Sequence, residues 1–102
     1  MYAYDPLAGV PDGLQELVIG GESHMWTEQT DGVNLDMVVW PRLAAAGEVL
    51  WSGAKDEMGQ NRSQVEASPR LADMRERLVA KGVSAGPVQM PYCLMNGARC
   101  TL

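Results

Sequence analysis

Leu17-Val18-Ile19-Gly20-Gly21-Glu22-Ser23-His24-Met25-Trp26-Thr27-Glu28 is the stretch on which the reading of the fold turns. Its three leading apolar residues are bounded by Gly20-Gly21 and follow the turn signal Pro11-Asp12-Gly13, a pattern that predicts a short buried strand of the parallel kind. Polar chemistry follows at once, and in parallel α/β architectures the carboxyl ends of strands carry the sites. Where extended geometry persists, alternation sets Glu22, His24, Trp26 and Glu28 on one side.

Helical patterns lie downstream. Trp40, Leu43, Ala44, Gly47, Leu50 and Trp51 recur at helical spacing, with Pro41 suited to a first turn and Ser52-Gly53 to an end. Small residues at 44 to 47 fit a helix lying close against a sheet. Residues 52–67 are polar and read as a loop. A second helix is expected with Ser68 as cap, Pro69 at its first position and Gly82 in the left-handed terminal conformation. Leu71, Met74 and Leu78 form its apolar side, Val83 is placed to close a Schellman contact on Leu78, and Asp73 pairs with Arg77 at i, i+4. Arg70, Arg75, Arg77 and Lys81 read as a solvated face. The tail from residue 87 to 102 reads as irregular.

Composition narrows the function classes. The chain has 102 residues, 46% of them hydrophobic, which suits one globular unit but is far short of the roughly 250 residues of a complete eight-stranded α/β barrel. A net charge of −5 with scattered basic residues argues against nucleic acid as a partner. The most apolar stretch, residues 35–51, is interrupted by Pro41-Arg42 and Glu48 and does not reach the roughly 20 apolar residues of a membrane span. Residues 1–6 carry no signal-peptide pattern. Even so, Cys93 and Cys100 flank the turn dipeptide Asn96-Gly97, spacing that suits a disulfide-closed loop, and Asn61-Arg62-Ser63 is an N-glycosylation sequon in a polar loop. Both features belong to exported proteins, so a true N-terminus upstream is expected. Two reduced cysteines and an unused sequon in a cytosolic protein form the plainer alternative.

The candidate chemistry lies in residues 20–28. A tryptophan face with a carboxylate two residues on suits a sugar, since the ring meets the C–H face of a pyranose and the carboxylate accepts from hydroxyls. A core tryptophan beside a surface glutamate is the structural alternative. Glu22 and Glu28 as the acid/base pair of a glycosidase lack any local sign of a raised pKa. Ser23-His24 are adjacent and sit in no G-x-S-x-G elbow, against a hydrolase triad. His24 is the only histidine, and the cysteines are distant, so no metal site is expected.

Taken as an ordered set, Tyr4-Asp5-Pro6, Val18-Ile19-Gly20-Gly21-Glu22, Met25-Trp26-Thr27-Glu28-Gln29, Trp40-Pro41-Arg42 and Glu48-Val49-Leu50-Trp51-Ser52 resemble the C-terminal part of family 20 glycoside hydrolases, the β-N-acetylhexosaminidases, in particular their secreted fungal type. The resemblance continues to the closing cysteine pair and covers nearly the whole chain. It implies an α/β fold: the C-terminal portion of a (β/α)8 TIM barrel, with residues 17–25 similar to the eighth strand and 41–51 to the eighth helix, followed by a C-terminal helix and a disulfide-closed tail. Residues 1–53 would end the catalytic barrel, and 54–102 would supply the loop, helix and tail of the same domain.

The resemblance further implies that Trp26 lines the pocket beneath a terminal N-acetylhexosamine and that Glu28 binds its 4- and 6-hydroxyls. Catalysis in such enzymes is substrate-assisted: the 2-acetamido oxygen attacks the anomeric carbon, an Asp orients it and a neighbouring Glu protonates the leaving oxygen. That pair, in a His-x-Gly-Gly-Asp-Glu setting, has no counterpart here, so no catalytic residue is assigned and the chain alone is expected to be inactive. No cofactor is implied. Family members often dimerise, and a homodimer of the full-length protein is the corresponding expectation, in a secreted or a lysosome- or vacuole-type compartment. A non-catalytic sugar-binding or subunit-completing polypeptide and a small secreted interaction domain are the alternative functions.

Overall fold

The computed structural model describes residues 2–96, and its longest element begins where Ser63 lends its hydroxyl to a helix start. Ser63 Oγ accepts from the Glu66 N–H at 3.1 Å, satisfying one of the donors that a first turn leaves without a partner. Helix α3 then runs Gln64–Ala80 with Pro69 inside it. The expected cap at Ser68 is therefore corrected. The extended Ser63, with Glu66 three residues on, starts the helix earlier, and the carbonyl that Pro69 leaves without a donor belongs to the exposed Val65. The far end is as expected. Gly82 has φ +89°, its N–H reaches the Val79 carbonyl at 2.9 Å, and the Val83 N–H reaches Leu78 at 3.0 Å, the paired bonds of a Schellman motif.

Helix α2 spans Arg42–Ser52 and stops at Gly53, φ 78°, following a single unanticipated turn, α1, Leu35–Val39. The Trp40–Pro41 peptide between them is cis. The buried side of α2 is Ala45, Ala46 and Val49, not the expected stripe of Leu43, Gly47, Leu50 and Trp51. Alanines let α3 approach closely, and the core forms there from Tyr2, Ala45, Val49 and Ala67, with Leu71 packed on it. Trp51 is left 93% exposed.

The expected strand is not formed. Residues Asp12–Leu17 make a 3₁₀ turn instead, begun by the Leu14 N–H on the Pro11 carbonyl at 2.8 Å. The chain beyond it is irregular, and the sole β pairing among the described residues is an isolated antiparallel bridge, Lys55 to Asn61. The reason is physical: a strand exists only by exchanging N–H and C=O bonds with a neighbour, and residues 19–28 make no backbone–backbone hydrogen bond among the described residues. Ile19, expected inside, is 98% exposed. The regular structure of the described residues is thus helical, and none of their helices is long and apolar enough to cross a membrane. In the tail, which read as irregular, Pro91–Met95 form a short helix, α4. Cys93 is buried there; Cys100, and with it the expected pairing, lies outside the described residues.

One close approach locks the start of the tail to α1. The Gly86 N–H donates to the Trp40 carbonyl at 3.1 Å, and a Cβ on Gly86 would stand 2.4 Å from the Met37 carbonyl oxygen. Gly86→Ala in the full-length protein is expected to cost about 1–3 kcal/mol of stability by overpacking, read as a lowered midpoint in denaturant unfolding. An unchanged midpoint would show that α1 yields freely.

A polar clasp ties the beginning of the chain to both long helices. The buried Tyr2 donates its hydroxyl to Glu48 Oε2 at 2.5 Å. Arg70 donates Nε and Nη2 to Glu48 Oε1 at 3.2 and 2.9 Å, and Nη1 to Glu66 Oε1 at 3.0 Å. Arg70 is thus no mere solvated residue, nor is Arg75, whose Nε holds the Ala85 carbonyl at 3.0 Å; Arg77 pairs with Asp73 at 2.8 Å on the exposed side, as expected. Burial, and then the bond to Glu48 and its charge, push the Tyr2 phenol above its ordinary range. Burial alone would raise Glu48, but the bonds from Tyr2 and Arg70 and the Arg70 charge outweigh it and hold the carboxyl below its usual value. The stability linked to Glu48 is complete above the carboxyl's unfolded value and is lost as pH falls through the lowered folded one. That linked to Tyr2 is complete below the phenol's unfolded value and is lost as pH rises through the raised one. Thermal unfolding of full-length Glu48→Gln against pH is expected to show a shallower acid limb than the parent. Superimposable acid limbs would remove the clasp from the account.

Candidate functional site

Residues 18–26 run without regular structure into a turn at 27 and 28. Alternation holds over the first part: His24 Nε2 lies 3.1 Å from Glu22 Oε1, both well exposed. Glu28 comes from the turn that follows Trp26, so the four residues lie along an irregular arm that ends in a bend. Trp26 is 74% exposed and Glu28 is exposed, and among the described residues no hydrogen bond or ion pair engages the Glu28 carboxylate.

What holds the bend is a set of residues that the sequence reading passed over. Asn34 Nδ2 donates to the Gln29 carbonyl at 3.0 Å, and Asn34 Oδ1 accepts from the Asp31 N–H at 2.9 Å. Asp31 Oδ1 accepts from the Val33 N–H at 2.8 Å, while its carbonyl receives the Leu35 N–H at 3.0 Å and so opens α1. The signal was present in Asp31-Gly32 and Asn34, residue types whose side chains build turns on their own backbone. Thr30 Oγ1 lies 3.7 Å from the Met25 sulfur, closing the bend on the other side. A turn braced at both ends can present an indole face and a carboxylate together without either being spent on the fold.

Ser23, His24 and Met25 line a recess of about 460 Å³ against Val39, Arg42 and Leu43. A larger one, about 560 Å³, opens between Tyr2, α2, α3 and residues 86–88. Neither contains Trp26 or Glu28, so the exposed pair needs walls from elsewhere to become a pocket. Asp56-Glu57, the one Asp-Glu dipeptide in the chain, follows Ala54-Lys55 rather than two glycines. Asp56 Oδ1 accepts from the Met58 and Gln60 N–H groups at 2.9 and 2.8 Å, so this carboxylate is consumed in a hairpin turn. Asn61 is exposed beside it.

A bare indole and a bare carboxylate two residues apart on a braced bend offer an apolar platform beside a charged hydrogen-bond acceptor. Residues 1–54 match the catalytic domain of glycosyl hydrolase family 20, and the chain belongs to that family. It is 50% identical over its whole length to a beta-hexosaminidase of Arthroderma benhamiae, covering 16% of that protein. It is also 41% identical over 90% of its length to beta-hexosaminidase 1 of Arabidopsis thaliana and 40% identical over 91% to the alpha subunit of mouse beta-hexosaminidase, covering 17% of each. The chain therefore spans about a sixth of the length of these relatives.

Proposed function

We propose that this chain is the C-terminal portion of a β-N-acetylhexosaminidase that releases terminal, non-reducing N-acetylhexosamine residues, and that it contributes the sugar contacts Trp26 and Glu28. The observation that carries the reading is the unengaged Trp26 and Glu28 on a bend inside the family match. The indole would lie under the apolar face of the pyranose, and the carboxylate would accept from the 4- and 6-hydroxyls. Proton transfer falls to residues outside this chain. The substrate's acetamido oxygen would attack C1 as the glycosidic oxygen is protonated, and water would then open the bicyclic intermediate with overall retention. Trp26 and Glu28 orient the sugar so that the attack is in line, which is binding energy used for the reaction.

In the same reading, residues 17–25 take their place as the last strand of a (β/α)8 barrel once neighbouring strands supply partners, and α2 covers the barrel with the Leu50 and Trp51 side that the described residues leave exposed. Residues 54–102 continue the domain as loop, helix and a tail closed by Cys93 and Cys100. The full-length protein would work as a dimer in a secreted or lysosome- or vacuole-type compartment.

Glu28→Gln in the full-length protein tests the assignment. Gln keeps one acceptor oxygen, so the change removes one hydrogen bond to a charged group, about 1.5–3 kcal/mol, and kcat/KM on an aryl N-acetylhexosaminide is expected to fall roughly 10- to 150-fold, while a substrate lacking the contacted hydroxyls loses far less on the same change. Equal losses on both substrates would assign Glu28 a structural role instead.

A further inference from the structure

We infer that Asn61 carries an N-linked glycan and that the glycan is attached before helix α3 closes its first turn. This rests on the exported-protein reading above. Asn61-Arg62-Ser63 is an acceptor triplet, and the fold displays it: Asn61 is exposed, and Ser63 is extended with φ −116° and ψ 149° directly before α3. The surrounding loop is polar, with Asp56, Glu57, Gln60 and Arg62, unlike the apolar sides at Ile19 and Trp51 that call for a covering.

Each residue of the triplet also has a second duty in the folded chain. Asn61 pairs in a bridge with Lys55. Arg62 donates its N–H to the Ala54 carbonyl at 2.9 Å and its Nε to Gly53 at 3.1 Å. Ser63 Oγ is the cap on Glu66 at 3.1 Å. An enzyme that must grasp the Ser63 hydroxyl and bend the triplet into its own site meets it already engaged on three counts, so the transfer belongs to the unfolded or emerging chain. In that step Asn61 Nδ2 displaces the lipid diphosphate from C1 of a lipid-diphosphate-linked oligosaccharide. The N–C1 bond forms, the C1–O bond to phosphate breaks with its electron pair leaving on the diphosphate, and the amide loses one proton.

Capping and glycosylation separate by substitution at one position, since Asp caps a helix as well as Ser does but cannot complete the triplet. The full-length protein, expressed in a secreting eukaryotic host as the parent, Ser63→Thr, Ser63→Asp and Asn61→Gln, is digested and the peptide bearing residue 61 is weighed before and after enzymatic deglycosylation. Glycan is expected on the parent and on Ser63→Thr and none on Ser63→Asp or Asn61→Gln, with Ser63→Asp secreted as well as the parent. The purified, deglycosylated parent should accept no glycan when folded, whereas a peptide of residues 57–67 should. Parent protein recovered from the medium with a bare Asn61 overturns the site; parent protein retained in the cytosol with a bare Asn61 overturns the export reading beneath it; efficient glycosylation of the folded protein overturns the order of events.

Discussion

Trp26→Ala in the full-length protein is expected to lower kcat/KM on an aryl N-acetylhexosaminide by roughly 30- to 1,000-fold, about 2–4 kcal/mol, the range of a central aromatic anchor. The indole is one of the largest side chains that the described residues leave bare, at 74% exposure, and no packing duty explains it. Losing the ring removes the apolar floor under the sugar and admits water, so the sugar both binds less and sits less well in line. KM should rise and kcat should fall together. Trp26→Phe keeps a ring and should recover most of the loss. A Trp26→Ala protein with unchanged kinetics and a lowered unfolding midpoint would return Trp26 to the list of ordinary covered residues.

The chain expressed alone is expected to show no hexosaminidase turnover and no cooperative unfolding. Among the described residues the buried set is Tyr2, Ala45, Ala46, Val49, Ala67, Ala85 and Cys93, small side chains for the most part. Against these, Ile19 is 98%, Val33 90% and Trp51 93% exposed. Fully burying a large apolar side chain contributes about 1.5–3 kcal/mol, and most of that is unrealised here. Apolar surface of this kind marks contact with other protein, so the lone chain should bind a hydrophobic dye and self-associate. A sharp calorimetric transition of a monomer would overturn the folding half of this expectation. Hydrolysis that co-purifies with the chain through several steps would overturn the catalytic half.

What could be read from the residues was what the residues decide locally. Gly53 and Gly82 end α2 and α3 because a left-handed φ is cheap for them alone, and Asp73 meets Arg77 because a helix puts i and i+4 together. Pro69 misled because it suits a first helical position after Ser68, while the local Ser63-x-x-Glu66 pattern, which starts the helix, was not weighed. The side of α2 that becomes buried depends on where α3 lands, which its own periodicity does not encode. Residues 17–25 have the composition of a strand but lack a neighbour to make one. Trp26 and Glu28 were singled out as candidates through the spacing of a recognisable set, whereas Asp31 and Asn34, which hold the bend, lie just ahead of the apolar stretch 35–51, and their turn signal was passed over. Tyr2, Glu48 and Arg70 are too far apart in the chain for any local pattern to join them.

The Tyr2 to Glu48 hydrogen bond joins residues 46 apart, and everything between them, the bend at Trp26 and Glu28 included, is therefore a loop with both ends fastened. The entropy of closing a loop grows only with the logarithm of its length, about 0.6 kcal/mol for each doubling. Lengthening the arm is thus thermodynamically cheap, provided that the fastening and the Asp31–Asn34 brace are left alone. Evolution can change the length of the chain between the two fastened ends with little penalty to the rest of the molecule, so variety in this segment among related proteins would be a sign of freedom rather than of decay.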